Sequence, residues 1–594
     1  MFQYTRIAIK VKKFSLTLLL FFTNLKIIQN HFFFLLLHMR KLIWFLTILI
    51  VFLILFFSRD FTSRYQKPIN GDAKGYYAYL PAIFIYHDSN YEFVDKIETT
   101  YYLEDGSMAK SFRNKQPNGT FVNKCFPGLA ILYLPFFFLS AVAAWLTGIP
   151  VDGYSMPFQL GIVIAHYFYF FSGLFLLSQF LLKRKVSFKI IWISFICIIF
   201  GTNVWYYLIY DHSVSHIFNF FLFCLFIWIV QKWIETKSMK WSVFLIILMA
   251  LIAITRPTNA MMVLFVPFIF TICDEDFLLF IKSNLNWKKI IFYFPFVLLI
   301  LVIPPLLWKW QTNQWFVYSY NKEGFNFLQS NWWNYLFSYK KGWLLWTPMM
   351  CFLIVTTLFQ SFKTSLKTGM YFILPFIIIT YVLSSWWCWT YGTGMGQRTM
   401  IDFYPIIVIG FSYFIEKKNV RIRYLIIIIP LILLNLLQNF QIYYDIQKGG
   451  KTTSKDYWDH FLDWKTIAPS VKIKKNWILL ASKMQNKNQI TNSEKHFTGA
   501  IDSDTLNNVK KIVIELEISA KHEEPNLSLV VSSNDGKLYR NFYFGNVLYE
   551  KPRKMSISFD FPKDSNKVFR TYIWNGDSDS ECKTNYIKVT YYTY

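Results

Sequence analysis

The sequence predicts an α-helical polytopic membrane protein of about eleven spans, ending in a small all-β sandwich domain. Three observations carry that expectation. Apolar runs approaching twenty residues recur through the first 440 positions, the length a helix needs to cross a hydrocarbon core about 30 Å thick. Lys and Arg in the short connections fall on alternate sides as the runs are counted. After about residue 441 the chain turns polar and charged, and no further run follows.

The runs occupy 41–57, 158–182, 188–208, 214–233, 241–255, 257–273, 288–309, 343–360, 369–386, 402–415 and 423–440. Arg40-Lys41, Lys183-Arg184-Lys185, Lys237 and Lys240, Lys288-Lys289, Lys363 and Lys367, and Lys417-Lys418 with Arg421 and Arg423 then share one side. By the positive-inside bias that side is cytoplasmic, which places the N-terminus in the cytoplasm and the protein in the cell (inner) membrane as a multi-pass chain. The count requires that Phe126–Trp145 does not cross. That run holds Pro127 and Pro135 and precedes the polar turn Val151-Asp152-Gly153-Tyr154, so it reads as a juxtamembrane or re-entrant helix. Met39-Arg40-Lys41 followed by Leu42–Phe57 is a complete signal-anchor, and residues 1–38 read as an extra helix or as translated upstream sequence.

Of the 594 residues, 54% are hydrophobic and 21% aromatic, above the 45–50% apolar content usual for a soluble domain. Lys and Arg outnumber Asp and Glu by 61 to 35, a net +26. In a membrane chain such an excess anchors loops to anionic lipid, and no basic helix or zinc spacing of a nucleic-acid-binding motif accompanies it. The seven cysteines are scattered, most of them inside apolar runs, so neither a disulfide framework nor a thiolate metal site is expected.

The transmembrane domain is expected to cover 39–440, with extracytoplasmic loops at 58–157, 310–342 and 387–401. A linker at 441–495 leads to an extracytoplasmic β-domain at 496–594. Alternating stretches such as Lys511–Ile518, Leu527–Val531, Met555–Phe561 and Tyr586–Tyr591, separated by turn residues, predict antiparallel strands.

Four constellations can carry chemistry. Asp72 lies just ahead of Tyr76, Tyr79, Leu80 and Ile83, whose spacing predicts an amphipathic helix on the membrane. Asp72 reads either as its N-cap or as a general base whose pKa partial desolvation would raise. Asp211, His212 and His216, with the two histidines four residues apart, form a candidate divalent-metal set; Asp211 also suits a helix cap. Arg256, in Arg-Pro-Thr-Asn between two apolar runs, suits an anionic phosphate or a headgroup anchor. The segment from Trp386 to Asp402 holds a Gly-x-Gly-x-Gly with no strand before it, which excludes a dinucleotide loop. Its Trp387, Trp389 and Tyr391 suit sugar stacking or an interfacial belt, and Arg398 and Asp402 are spaced for an ion pair. Lys124, just before the juxtamembrane helix, is a further candidate phosphate contact.

In order and topology, residues 39–440 resemble the GT-C superfamily of polyprenyl-phosphate-sugar-dependent membrane glycosyltransferases, which includes protein mannosyltransferases and the lipid A aminoarabinose transferase. The resemblance rests on an early acidic residue in a long first outer loop and on juxtamembrane helices within that loop. A second Asp opening a later span, a cationic break between two middle spans, and the Trp- and Gly-rich Arg-x-x-x-Asp segment complete it. It implies that Asp72 is the base on the acceptor and that Asp211 is the second acidic position, tied to metal or acceptor. Lys124, Arg256 and Arg398 would be the lipid-phosphate ligands. Many members carry an Asp-Glu pair in the first loop, whereas Asp72 is followed by Ala73.

The expected activity is transfer of a hexosyl or pentosyl group, with inversion, from a polyprenyl-phosphate donor to an extracytoplasmic lipid, glycan or protein acceptor. A divalent metal is the one cofactor in view. Two rivals remain: a transporter or flippase, which predicts mid-span polar residues and repeated broken helices, and a membrane anchor displaying a glycan-binding β-domain.

Overall fold

The computed structural model describes residues 68–463, apart from 103–110, 213, 285–286, 322, 417–422, 444–445 and 448, together with strands between 478 and 593. The expected span at 41–57 and the segment 1–38 lie outside the described residues. The main helices are α1 (Ala73–Pro81), α2 (Gly128–Leu146), α3 (Met156–Lys183), α4 (Phe188–Phe200), α5 (His216–Thr236) and α6 (Met239–Thr255). After these come α7 (Trp287–Leu301, running on into Ile303–Thr312), α8 (Pro348–Thr364), α9 (Leu366–Ser384), α10 (Tyr404–Glu416) and α11 (Arg423–Tyr443). Among the described residues, seven helical stretches are long and apolar enough to cross a bilayer.

Several expected runs are interrupted, each for a local reason. The run at 188–208 breaks at Gly201-Thr202-Asn203, where the Thr202 hydroxyl donates to the Ile198 carbonyl and accepts from the Val204 amide. Asn203 then turns its side chain to the carbonyls of Met395 and Gln397. The run at 257–273 opens as a 3₁₀ segment, Pro257–Phe265, and becomes α-helical only at Val266–Ile272. Pro257 supplies no amide to extend α6 past Thr255, and Arg256 is extended (φ −157°, ψ 110°).

The basic loops gather at one end of the bundle. Arg184 pairs with Glu235 at 3.0 Å and donates to the Cys273 carbonyl. The Ser187 hydroxyl and amide both donate to Glu416, and Lys367 pairs with Asp276. Loops after α3 and α5 and before α9 therefore meet on a single face.

Helix α2 is itself one of those seven stretches by length and composition, but it does not reach that face. It runs antiparallel to α3, with the Tyr169 hydroxyl on the Leu132 carbonyl and Gly161 against Ser140. Both pairs sum to the same residue number, so Gly128 is level with about residue 173. The last ten residues of α3, about 15 Å of rise, extend past it. Gly128 itself packs on the far end of α6: a Cβ there would meet the Thr255 backbone nitrogen at 2.5 Å. The close approach brings Lys124 and Cys125 towards Arg256.

Helix α1 is not an amphipathic helix lying on a membrane. Lys74, Tyr77, Tyr79 and Leu80 are all buried, and only Gly71 and Asp72 at its start are exposed. Hydroxyls of Tyr77 and Tyr79 donate to the carbonyls of Gly153 and Cys125, which satisfies two buried phenols and fixes the helix between α2 and the 150–159 turn.

After α11, Thr453 opens a short helix, Ser454–Asp459, through a capping box with Asp456. Its Tyr457 packs with Trp346, Met395 and Ile442, so part of the expected linker belongs to the helical body. The β-region starts at Ile478, earlier than expected. Its antiparallel strands form a four-stranded sheet (Phe497–Asp502, Phe569–Asn575, Leu527–Ser533, Tyr539–Tyr543) and a five-stranded one built around Cys582–Thr593 and Lys511–Ala520. In Lys511–Ala520 the buried Ile512, Ile514, Leu516 and Ile518 alternate with less buried neighbours, as a half-buried strand requires.

Candidate active site

Opposite the basic end, residues from five separated parts of the chain converge. Asp72 occupies the N-cap position of α1, yet its side chain caps nothing. Its Oδ2 instead accepts from the Arg398 NH2 at 2.5 Å, across 326 residues of sequence. The Asp72 side chain keeps 46% exposure while Arg398 keeps 14%, so the carboxylate lines an open recess and the guanidinium forms its wall. Burial alone would raise the Asp72 pKa, but Arg398 foremost, with Arg256 and Lys124, more than offsets that and lowers it. The expectation of a raised pKa is thereby reversed, because the desolvated carboxylate sits among cations.

Arg398 opens a 3₁₀ segment, Arg398–Phe403, not an α-helix, so the Arg398–Asp402 spacing does not align the two. Asp402 faces inward, fully buried. It accepts from His216 Nδ1 at 2.8 Å, from Asn259 Nδ2 at 2.9 Å and from Asn219 Nδ2 at 3.2 Å. On the other side of the imidazole, Arg256 NH1 meets His216 Nε2 at 3.2 Å. A guanidinium only donates, so Nε2 must accept, and the proton of the neutral ring lies on Nδ1, directed at Asp402. His216 thus transmits the Asp402 charge to Arg256. Arg256 is further held by Thr258 and by the Tyr391 ring, 5.2 Å from its Cζ.

Lys124 pairs with Glu323 at 3.2 Å, and its carbonyl accepts from the Ser319 hydroxyl. Tyr76, Tyr320 and Cys125 lie within electrostatic reach of Asp72 and complete the recess. Behind Arg398 sits Lys341, fully buried. It donates to the Tyr207 hydroxyl at 3.2 Å and the Thr393 carbonyl at 2.9 Å. Burial, with Arg398 close by, pushes the Lys341 pKa well down.

The structure thus joins Asp72, Lys124, Arg256, Arg398 and His216. It does not assemble a metal set from Asp211, His212 and His216. Helix α5 begins only at His216, so the two histidines do not share a helical face. His216 has both nitrogens engaged, and His212 lies buried against Tyr167 and the His166 ring. Among the described residues, no group of three His, Cys, Asp or Glu side chains could hold an ion. Asp211 lies within electrostatic reach of Arg398 and Lys341.

Of the aromatic candidates, Tyr391 is buried under Arg256 and its hydroxyl donates to the Leu383 carbonyl, so its ring braces the cation and offers no open face to a sugar. Trp387 is 58% exposed and Trp389 half-buried. Sequence reading missed Lys341, Glu323, Asn219 and the role of Asp402. Lys340-Lys341 did carry a signal, being a basic pair on the side of the chain that the positive-inside count leaves poor in cations.

No protein-family model matches the chain, and a search of curated proteins gives no match.

Proposed function

We propose that the chain is a multi-pass membrane glycosyltransferase that moves a sugar from a polyprenyl-phosphate donor to an acceptor hydroxyl on the extracytoplasmic side. One observation carries the reading: a carboxylate that declines its capping role sits in an open recess with Arg398, Arg256 and Lys124 around it. Inverting transfer needs that combination. A base takes the acceptor proton as the oxygen attacks the anomeric carbon, the bond from that carbon to the phosphate oxygen breaks, and cations receive the charge on the leaving phosphate. Arg398 has an unsatisfied buried Nε in addition to the NH2 it gives Asp72, which suits a residue that re-pairs with a phosphate. Re-pairing would relieve the hold of Arg398 on Asp72 and raise its basicity when the donor is bound.

The basic end of the bundle, built from Arg184, Lys183 and Lys367, supports a cytoplasmic assignment for that face, with the recess and the C-terminal β-region on the other side. Among the described residues, no group of three His, Cys, Asp or Glu side chains is placed to hold a metal in the recess.

The test is a deletion strain compared with its parent. The strain should lack one sugar substituent on a surface glycan, lipid or protein and should accumulate the lipid-linked sugar. Wild-type protein should restore both. Identical glycans and identical lipid-linked sugar pools would overturn the assignment.

Glu323 holds Lys124 in the absence of donor. With both side chains between a quarter and a third exposed, that pair is worth about 1 kcal/mol or less. Glu323→Gln should therefore lower KM for the lipid-linked donor by up to about fivefold without changing kcat, as initial-rate kinetics in vesicles would register.

A further inference from the structure

The segment between α7 and α8 carries two contrasting sides. Eleven of the twenty-seven residues from Asn313 to Tyr339 are aromatic, and Lys322 and Glu323 are the only charged ones. Its inner side belongs to the recess, through Glu323 on Lys124 and through Tyr320 near Asp72. Its outer side leaves Phe316 82%, Leu328 99% and Trp333 69% exposed. Exposure on that scale is costly in water for large apolar side chains.

The segment is fastened at a definite height. The Asn326 and Asn331 amides donate to the Ser385 and Ser384 carbonyls, the Tyr381 hydroxyl donates to the Phe327 carbonyl, and Trp332 Nε1 donates to the Thr380 hydroxyl. Those acceptors and donors form the last turn of α9. At its other end α9 starts beside Lys367, which is paired to Asp276 at the basic face. Nineteen residues rise about 28 Å, close to the thickness of a hydrocarbon core. Residues 324–333 therefore sit at the bilayer boundary on the recess side. The exposed apolar stripe of α9, Leu374, Ile377, Ile378 and Tyr381, continues into Phe327 through a stacked ring contact at 6.4 Å and from there to Leu328.

We propose that this segment is a membrane-seated lip: Leu328 and Trp333 are immersed in the lipid of the leaflet on the recess side, and the segment forms the wall between that lipid and the recess. The occupant of the outer side is lipid, since an aromatic-rich, nearly uncharged surface continuous with a lipid-facing helix stripe matches the interfacial zone of a bilayer. A water-exposed loop or a protein-binding patch would have no reason to sit at that height. The inference rests on α9 crossing the membrane and is independent of sugar transfer.

The test uses full-length protein in phosphatidylcholine–phosphatidylglycerol vesicles with Leu328→photo-leucine. Ile377→photo-leucine on α9 serves as the lipid-facing reference, and Asn118→photo-leucine, exposed in the turn between the paired short strands Arg113–Lys115 and Phe121–Asn123, as the water-facing one. Illumination and mass spectrometry of the adducts should give lipid adducts at 328 within about twofold of those at 377, and at least about tenfold above those at 118. Water-quenched or polypeptide adducts at 328, with lipid adducts at 377, would overturn the lip. Absence of lipid adducts at 377 would overturn it as well, by removing the crossing on which it depends. Either result leaves the strain comparison for sugar transfer untouched.

Discussion

Asp72→Asn should lower kcat for sugar transfer by about 10²- to 10⁴-fold, the contribution a positioned general base makes. The amide keeps the size of the carboxylate and its Oδ1 can still accept from Arg398, so the wall of the recess stays in place. What is lost is the ability to take a proton. Removing one negative charge from among Arg398, Arg256 and Lys124 leaves those cations more available to a phosphate, so KM for the donor should stay level or fall. A loss confined to kcat distinguishes a base from a residue that only holds the recess together. The pH dependence follows from the direction of the shift. With its pKa lowered, Asp72 is already ionised across the neutral range, so kcat/KM should stay flat down through the usual carboxylate region near pH 4 and fall only below it. For stability the sign is the same: a depressed folded-state pKa contributes above the unfolded value and is lost as pH falls through the folded one. With 46% of the side chain exposed that contribution is screened, and Asp72→Asn should unfold within a few degrees of wild type at neutral pH. Undiminished transfer by this variant would remove Asp72 as the base.

The legible part of the site was its residue types, and the illegible part was their pairing. Asp72, Lys124, Arg256 and Arg398 each stood out because a charge beside an apolar run needs a reason. That Arg398 would choose Asp72 over Asp402 could not be read locally, since it depends on the backbone after Gln397 being 3₁₀ and on a contact spanning 326 residues. The histidines misled for a similar reason: a four-residue spacing means one face only inside a helix, and the helix starts at the second of them. Apolar run length located the helices but not their interruptions, which follow from side chains such as Thr202 and Asn203 that bond to distant backbone. Helix α1 shows the limit of periodicity, because a helix buried on nearly every side has no polar face to reveal.

Asp402 should give the opposite kinetic signature to Asp72. Three buried donors converge on it: His216 Nδ1–H and the amides of Asn219 and Asn259. Asp402→Ala leaves all three without an acceptor at a fully buried position, a loss of about 3–5 kcal/mol that thermal unfolding in detergent would record as a large drop in midpoint. Asp402→Asn is the informative variant. It conserves volume and can still accept from His216, and Asn219 or Asn259 can turn its amide oxygen towards the new NH2, so the network can close again and the protein should remain folded at 25 °C. The charge that reaches Arg256 through the imidazole is gone, however, and with it part of what holds the guanidinium against Tyr391 and Thr258. KM for the lipid-linked donor should rise about tenfold, or roughly 1.4 kcal/mol, with kcat changed less than about threefold. A residue that itself accepted the proton would instead lose kcat at constant KM, as predicted for Asp72→Asn. The two isosteric substitutions, one at a carboxylate bonded directly to Arg398 and the other at a carboxylate linked to Arg256 only through neutral His216, therefore separate the base from the residue that positions a phosphate-binding arginine.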